Sequence, residues 1–288
     1  MAAQGQSAFD ASGDEGAYDD YDELGTTPLV VDNPADSPYI TASGGTTLPY
    51  AGTVSGPAGT ATVSSGRSER IWGWDYTWAA VAQANGEPLQ TIAEDPFLGV
   101  TGSGGGFSSD ESEPSYQRGV PGTNSFTAVP YFQSTDIQDI GSGVFEPTAL
   151  AFNPTPRTIH GFGSGRAVPD VSANADPMSG YLLYEPSFAA IGQPTLQPDW
   201  GGTSFVAPQL NGSAAVIDSY VGHRVGLWNP SVYSFATQPN SPFNPLNTPG
   251  TSNDNIYYSG TPGTVYNPGA GLGTADMTQL GADFAGQR

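Results

Sequence analysis

The chain has 288 residues, of which 37% are hydrophobic, enough to bury a full core in one or two units. Its 28 acidic residues face seven basic ones, all arginines, which gives a formal net charge of −21 at pH 7. A surface of this sign repels phosphate backbones, so the composition argues against nucleic-acid binding. Cysteine is absent, which excludes disulfides and thiolate metal sites.

The acidic composition also bears on the working environment. Self-repulsion of the surface weakens as carboxylates become protonated near their ordinary pKa of about 4. The composition therefore suits an acidic milieu, and it equally suits a halophilic or an ordinary soluble acidic protein. No apolar run approaches the ~18 residues of a membrane span, and the residues after Met1 do not form a basic and then apolar leader.

The first part of the chain predicts a sheet followed by a helix. Residues 1–24 are expected to contain the tail of a helix, a short strand at 7–11 and an acidic loop, so that the chain begins inside a domain. Apolar runs at 29–31 and 39–42, each closed by turn residues, are typical of buried strands in an α/β sheet. An aromatic and alanine-rich stretch at 72–84 predicts a helix that stops at the following Asn-Gly pair.

The second part of the chain is rich in loops and contains one long helix. The glycine-rich segment 101–108 predicts a loop with close backbone approach, and 119–160 has no clear periodicity and predicts irregular or β structure. Residues 166–184 predict a short strand between turns that carry aspartates. Residues 204–221 are apolar around most of the circumference and predict a buried central helix of about 27 Å. No linker divides the chain, so we predict one domain over 1–288.

Ser204 is the candidate nucleophile. It follows two glycines and a threonine and precedes Pro208, at the head of the predicted helix. Glycines permit a tight turn, and a proline in a first helical turn costs no hydrogen bond. The Ser204 hydroxyl would lie at the positive end of the helix dipole, where its backbone N–H can face a developing oxyanion. The alternative is a helix-capping serine with no chemistry.

Neither histidine of the chain stands where a base for this serine is expected. His223 follows the predicted helix, about 28 Å along it from Ser204. His160 lies in the sequence IHGFGSG and is interpreted as a surface or core histidine.

Six motifs occur in one order along nearly the whole chain. They are ASGDEGA at 11–17, DNPADSPYITASGGTTL at 32–48, GSGGGFSSDESEPSYQ at 102–117, RAVPDVSANADPMSGY at 166–181, GGTSFVAP at 201–208 and YNPGAGLGT at 266–274. In this order they resemble the sedolisin family, the serine-carboxyl peptidases that include the kumamolisin-like enzymes. The resemblance implies a subtilisin-like α/β fold, a parallel sheet flanked by helices, with the N-terminal portion of the domain missing.

The resemblance also implies an acid-active, secreted endopeptidase that cleaves peptides or proteins. Ser204 matches the nucleophile, which a glutamate supported by an aspartate activates. Asp14, in the SGDxG motif, matches the oxyanion aspartate, which donates a hydrogen bond when protonated. By itself Asp14 would be interpreted as a turn residue. A glutamate base with a pKa near 4.3 is half ionised near pH 4, where a histidine would be fully charged.

The acid pair is expected as an ExxxD motif on a helix well before Asp14, yet only thirteen residues precede Asp14. Glu15 and Asp19 have that spacing but follow the SGD motif, and we interpret them as a solvated pair. The chain is therefore expected to be the C-terminal two-thirds of the catalytic domain. An N-terminal light chain or an upstream segment would supply the Glu/Asp pair.

Further positions are assigned from the resemblance. Asp170 and Asp176 match positions that brace turns. A glycine-rich segment matches a substrate-lining segment whose backbone pairs with an extended peptide, with a plain surface loop as the alternative. The matching residues are Ser103, Gly104, Gly105 and Gly106.

A calcium site near the C-terminus is the only cofactor site that the resemblance implies, and the chemistry itself requires no cofactor. Asparagines replace both charged ligands, which weakens such a site, although Asp254 would restore one charge by a one-residue shift. A turn held by hydrogen bonds is the alternative. The matching positions are Asn255, Ile256, Gly263, Val265 and Asn267.

The separation between Asp14 and Ser204 is larger than the resemblance implies, which predicts insertions at about 51–100 and 119–160 that reshape substrate choice. The Asn211 sequon falls inside the predicted buried helix, so glycosylation is not expected there. Two other functions stay open. One is a non-catalytic remnant that binds or scaffolds, and the other is a neutral-pH, histidine-dependent protease.

Overall fold

A mostly parallel sheet packed with helices forms the centre of the protein. The computed structural model describes residues 1–19, 27–141, 144–247 and 255–287, and for 134–140 and 144–149 only the backbone. The helices are α1 (Asp75–Asn85), α2 (Leu89–Ala93), α3 (Pro96–Val100), α4 (Thr203–Val221), α5 (Asn229–Ala236) and α6 (Met277–Gly286). Short 3-10 turns lie at Ala2–Gln4, Pro177–Ser179 and Pro186–Ile191. The strands are β1 (Phe9–Ala11), β2 (Thr41–Thr47), β3 (Ala51–Gly56), β4 (Gly59–Ser64), β5 (Arg70–Ile71), β6 (Gly106–Ser112), β7 (Phe126–Ala128), β8 (Phe132–Gly141), β9 (Val144–Phe152), β10 (Ile159–Gly161), β11 (Gly165–Val168), β12 (Val171–Asn174), β13 (Tyr181–Tyr184), β14 (Leu196–Trp200), β15 (Phe243–Asn244), β16 (Tyr258–Ser259) and β17 (Thr274–Ala275).

The central sheet has the strand order β1-β2-β12-β17-β15. The first four strands run parallel to their neighbours, while β15 is antiparallel to β17 and β5 pairs antiparallel with β2. Consecutive parallel strands require crossover connections, and the chain between them supplies the helices and the outer hairpins. The carboxyl ends of β1 and β12 therefore lie at the same edge of the sheet.

Strand β2 is the most enclosed part of the sheet, with all seven residues buried. A side chain would not fit at its two glycines, because a Cβ on Gly44 would lie 2.4 Å from Pro169 Cγ and one on Gly45 would lie 2.7 Å from Ala175 Cβ. The apolar run at 39–42 marks only the start of this strand. The run at 29–31 is not a strand, and Val30 forms a single isolated bridge.

Helix α4 packs on β1, β2 and β12 and against α6. It buries Val206, Leu210 and Ile217 in the main core. The expectation of a helix buried all round is wrong, because Val216 and Tyr220 on the opposite face are 70% and 69% exposed. The hydropathy pattern shows apolar residues around most of the helix circumference, but it does not show which side other elements cover. In the structure, the described elements cover only one side of α4. Asn211 lies on the exposed face.

The predicted helix at 72–84 is α1, which ends at Gly86 in the left-handed conformation with φ 73°. Glycine adopts this conformation without steric cost, so the Asn-Gly pair is a true stop signal. No helix among the described residues is long and apolar enough to cross a membrane.

The two predicted insertions contain regular structure. The first holds the β3–β4 hairpin and helices α1, α2 and α3. The region 119–160 holds β7, β10 and the long β8–β9 hairpin, so the expectation of irregular or β structure resolves to β. A second core joins the two regions, where Trp78 of α1 meets Phe132 and Phe152 at 5.9 and 5.3 Å between ring centroids.

A buried ion pair connects β11, β2 and α5. Arg166 and Asp170 are both fully buried, with 2.6 Å between Nη2 and Oδ2. The Asp170 carboxylate also accepts hydrogen bonds from the Ala42 N–H of β2 at 2.8 Å and from the Tyr233 hydroxyl of α5 at 2.9 Å. These contacts support the expectation that Asp170 braces a turn.

We expect Asp170→Ala to lower the free energy of unfolding by about 3–5 kcal/mol, because it leaves a buried guanidinium without its counter-charge. Urea denaturation followed by tryptophan fluorescence measures this value. The exposed Asp110→Ala is the control and should change it by less than about 0.5 kcal/mol. Equal losses in the two variants would contradict the assignment.

Candidate active site

Ser204 lies in the first turn of α4 with an exposed side chain. The helix begins at Thr203, directly after Gly202, whose φ of 92° favours glycine. A Cβ on Gly202 would lie 2.5 Å from Asp14 Oδ2, so a larger residue would displace that carboxyl group. The Ser204 N–H is one of the first four of the helix and has no acceptor within it.

Asp14 follows β1 and reaches the start of α4. Its Oδ1 accepts hydrogen bonds from the Thr203 N–H at 2.8 Å and from the Thr203 hydroxyl at 2.7 Å. The Thr203 hydroxyl also lies 3.1 Å from the Gly13 carbonyl oxygen. The structure therefore brings together the two residues that the sequence predicts as catalytic.

Burial raises the pKa of Asp14 above its ordinary value of 3.8, and the two hydrogen bonds from Thr203 oppose this shift. Because Oδ1 already accepts both of these bonds, Oδ2 is the oxygen free to carry a proton. A protonated Oδ2 can donate a hydrogen bond to an anionic oxygen. The raised pKa widens the pH range in which Asp14 has this form.

A cavity of about 190 Å³ opens beside Asp14. Asp14, Gly201 and Gly202 are among its lining residues, and the two glycines come shortly before Ser204 in the sequence. The remaining walls are mostly apolar and consist of Glu15, Trp72, Trp74, Pro96, Phe97, Val100, Thr101 and Pro177. The size is below the roughly 300–1,000 Å³ of sites for drug-sized ligands, so the cavity suits a single side chain.

Glu15 and Asp19 lie beside this site rather than in a solvated loop. Glu15 lines the cavity, and its Oε2 accepts a hydrogen bond from the Asp14 N–H at 3.2 Å. Both carboxylate oxygens of Asp19 are buried, in a position where a side chain on Gly13 would collide with them. The expectation that the pair is solvated is therefore wrong for Asp19, because the turn folds back over Gly13.

Burial, and then the charges of Glu15 and Asp32, raise the pKa of Asp19 well above its ordinary value. The turn is also not a helix, since Glu15 forms an isolated parallel bridge with Gly102. Glu15 and Asp19 therefore do not form the helix-borne acid pair that the resemblance implies.

The segment from Ser103 to Gly106, predicted to line the substrate region, is buried and does not line the cavity. The Ser103 N–H donates to the Trp72 carbonyl at 2.9 Å, and the Gly104 N–H donates to the Gly13 carbonyl at 2.8 Å. Gly106 begins β6, which pairs with β11. These contacts give the segment a structural role, because it supports the backbone that leads to Asp14.

The two histidines lie away from the cavity walls. His160 is exposed on β10, with Nδ1 3.2 Å from the Thr127 hydroxyl. His223 is exposed after α4, with Nδ1 3.3 Å from the Val221 carbonyl oxygen. Neither residue lines the cavity beside Asp14.

The predicted calcium positions begin with Asn255 and Ile256. Asn255 is fully buried, and its Oδ1 accepts the Tyr258 N–H at 3.1 Å. Ile256 is fully buried in the second core. Asp254 lies outside the described residues.

The other three positions form turns. Asn267 Oδ1 accepts two backbone N–H groups, from Gly269 at 2.9 Å and Ala270 at 2.8 Å. Gly263 is exposed, and the Val265 N–H donates to a carbonyl at 3.0 Å. Because the described donors are neutral and their side-chain oxygens already accept hydrogen bonds, this set does not fit a calcium ion. The contacts match the alternative, a turn held by hydrogen bonds.

Sequence reasoning missed Thr203 and the aromatic walls of the cavity. The sequence does contain a signal for Thr203, because a hydroxyl residue directly before the candidate nucleophile can donate a hydrogen bond to a carboxylate from another motif. Trp74 and Phe97 have none, since their proximity to Asp14 depends on how the first insertion packs.

The chain is similar to proteolytic enzymes of known sequence and structure. No profile of a known protein family matches it. Kumamolisin from Bacillus sp. (strain MN-32) is 30% identical over 274 residues, which cover 95% of this chain and 35% of kumamolisin. Pseudomonas sedolisin, a serine-carboxyl proteinase in complex with two molecules of pseudo-iodotyrostatin, has a TM-score of 0.58 at 24% identity, covering 99% of this chain and 57% of that one. The second comparison confirms the predicted α/β fold class.

The raised pKa of Asp19 predicts a change of stability with pH. Its protonation stabilises the folded protein, so this contribution is full below pH 3.8 and is lost as pH rises through the folded pKa. We expect Asp19→Asn, which stays neutral, to have a larger free energy of unfolding than the wild type near pH 7, because it avoids the cost of ionising a buried carboxyl group.

Urea denaturation near pH 3 and near pH 7 measures the difference, which should shrink at the lower pH. The exposed Asp110→Asn serves as the control. A difference between Asp19→Asn and the wild type that is the same at both pH values would show that Asp19 titrates normally.

Proposed function

Because the chain is related to the sedolisin family of serine-carboxyl peptidases, we propose that it is the larger part of the catalytic domain of an acid-active serine-type endopeptidase. The observation that carries the proposal is the hydrogen bonding between Asp14 and Thr203, which fixes a carboxyl group next to Ser204. The substrates are peptides or proteins, the working place is outside the cell, and no cofactor is required for the chemistry.

In the proposed reaction, Ser204 Oγ attacks the carbonyl carbon of a peptide bond while its proton passes to a glutamate base. The resulting oxyanion receives hydrogen bonds from the Ser204 N–H and from protonated Asp14. The C–N bond then breaks, and the base returns the proton to the leaving amine. Water hydrolyses the ester on Ser204 by the same steps, which releases the acid product and regenerates the serine.

The glutamate base and its supporting aspartate would come from a segment N-terminal to this chain, as an upstream segment or a separate light chain. The chain spans about a third of the length of kumamolisin and just over half of that of sedolisin. The exposed face of α4, with Val216 and Tyr220, gives such a segment apolar surface on which to pack.

Acid activity is consistent with the charges at the site. The reaction needs Asp14 protonated and the base ionised, which a carboxyl group with a raised pKa and an ordinary glutamate satisfy together near pH 4. A histidine mechanism has less support, because neither His160 nor His223 lines the cavity.

The second candidate function is a catalytically incomplete remnant that binds peptides or acts as a structural protein. The exposure of Ser204 favours it, because the described residues place no base beside its hydroxyl. The two functions predict different upstream coding sequences. For the enzyme, that sequence should encode a helix with an ExxxD motif, and for the remnant it should not.

The deciding experiment compares peptide hydrolysis by this chain alone with hydrolysis by the chain joined to its upstream segment. We expect activity near pH 4 only in the longer protein, with Ser204→Ala as the inactive control. Cleavage near pH 4 by this chain alone would refute the missing acid pair. A maximum near pH 8 would instead support the histidine mechanism.

Variants of Asp14 test the oxyanion role in the assembled protein. Asp14→Ala removes one donor and should lower kcat about 10²–10³-fold. Asp14→Asn keeps an acceptor for Thr203 and supplies an N–H that does not titrate. We therefore expect this variant to retain more activity than Asp14→Ala and to extend the high-pH limb of the profile. Equal pH profiles for Asp14→Asn and the wild type would contradict the role.

A further inference from the structure

We propose that Asp19 is a positioning residue for Asp14. In its protonated form it packs on the backbone directly before Asp14 and keeps that backbone in place, and in its ionised form it releases it. The inference rests on the proposed function, because it concerns the carboxyl group that would stabilise the oxyanion, and it adds a pH-dependent control of that group.

The Asp19 carboxyl group occupies a space between two glycines. A Cβ on Gly13 would collide with Asp19 Oδ1, and one on Gly104 would lie 2.8 Å from Asp19 Oδ2. The two glycines are joined directly, since the Gly104 N–H donates to the Gly13 carbonyl oxygen at 2.8 Å. The carboxyl group therefore packs against the peptide segment immediately before Asp14.

The Gly13 carbonyl group connects this contact to the candidate site. Besides the Gly104 N–H, it has the Thr203 hydroxyl at 3.1 Å, and the same hydroxyl lies 2.7 Å from Asp14 Oδ1. A displacement of Gly13 would therefore also disturb the hydrogen bonds that hold Asp14 at the start of α4.

Gly13 depends on packing to stay in place. Its φ of 97° lies in the region that favours glycine, and a residue without a Cβ has the least backbone restraint of its own. The later part of the turn is anchored separately, because Ala17 and Tyr18 are buried. Loss of the Asp19 contact would therefore act on Gly13 and Asp14 rather than on the whole turn.

The surroundings of Asp19 favour its protonated form. Both of its oxygens are buried, and neither has a hydrogen-bond donor in bonding geometry among the described residues. Its charged neighbours in the described part of the chain are all acidic, with Glu15 and Asp14 on its own turn and Asp32 before β2. The segment 102–107 on its other side contains no ionisable side chain. Burial, followed by the neighbouring charges, raises the pKa of Asp19 well above its ordinary value, and the Glu15 backbone opposes this shift only in part.

The direction of the pH effect follows from these surroundings. At low pH Asp19 is protonated, its packing on Gly13 is intact and Thr203 holds Asp14. As the pH rises through the folded-state pKa of Asp19, a buried negative charge forms beside acidic neighbours, and moving the carboxylate into water relieves its cost. Asp14 then loses its position, so the rate falls for a reason other than the ionisation of Asp14 itself.

The test uses the Asp14→Asn variant of the assembled protein, in which the oxyanion donor does not titrate. We expect its kcat to fall at high pH by about ten-fold for each pH unit above the midpoint, as for a single ionisation, with little change in KM. Adding Asp19→Asn should remove this fall. Adding Asp110→Asn, which neutralises an exposed carboxylate, is the matched control and should leave the fall as it is.

A further variant separates positioning from folding. Asp19→Ala uncovers Gly13 at every pH, so in the same background we expect a kcat that is low throughout the pH range. Asp19→Asn has the size of the natural side chain and should restore the rate. Urea denaturation gives the folded fraction of each variant, so that the rates are compared per folded molecule.

Two outcomes would overturn the proposal. One is a fall at high pH that persists in the Asp14→Asn, Asp19→Asn double variant, and the other is an equal kcat for Asp19→Ala and Asp19→Asn. If no variant cleaves any peptide, the proposed function fails, and NMR then tests the position of the turn separately. The Thr203 amide resonance of Asp14→Asn should shift with pH, and this shift should vanish in the double variant; the same shift in both proteins would refute the role of Asp19.

Discussion

The hydrogen bonds from Thr203 to Asp14 are the constraint on which the candidate site depends. They join the loop after β1 to the first turn of α4, across 189 positions of sequence. Thr203 donates to one carboxylate oxygen, Oδ1, and the other, Oδ2, lies against Gly202. Gly202 and Gly104 make room for this contact, because a Cβ on Gly202 would meet the Asp14 carboxyl group and one on Gly104 would meet the Ser12 backbone.

The same region concentrates negative charge. Asp14, Glu15 and Asp19 lie within one turn, and burial raises the pKa of both aspartates. Carboxyl groups that are costly to ionise at neutral pH are less so in acid, where they are protonated. The local arrangement therefore agrees with the net charge of −21, since both cost the folded protein less free energy at low pH than at neutral pH.

The first insertion supplies several walls of the cavity but contains neither Asp14 nor Ser204. Its helices contribute side chains such as Trp78 to the second core, and the Trp74 indole N–H donates to Asp176. Trp74 and Phe97 line the cavity. The residues around Ser204 and the aromatic walls of the cavity thus come from separate parts of the chain.

Much of the site was predictable from the sequence because its signals are local. The motifs predicted that Asp14 and Ser204 belong to one site, and the fold brings the two segments together. The Asn-Gly pair marked the end of α1, since a helix stop needs only a few adjacent residues. Hydropathy did not predict the full length of β2, because its small residues are buried by close backbone packing. It also did not predict which side of α4 is covered, because apolar residues occur around most of that helix. At the predicted calcium positions, the resemblance could not show that the asparagine oxygens accept backbone N–H groups. Only the tertiary structure decided that Asp19 is buried, that Thr203 holds Asp14 and that Phe97 borders the cavity, because each depends on contacts between segments that no local pattern encodes.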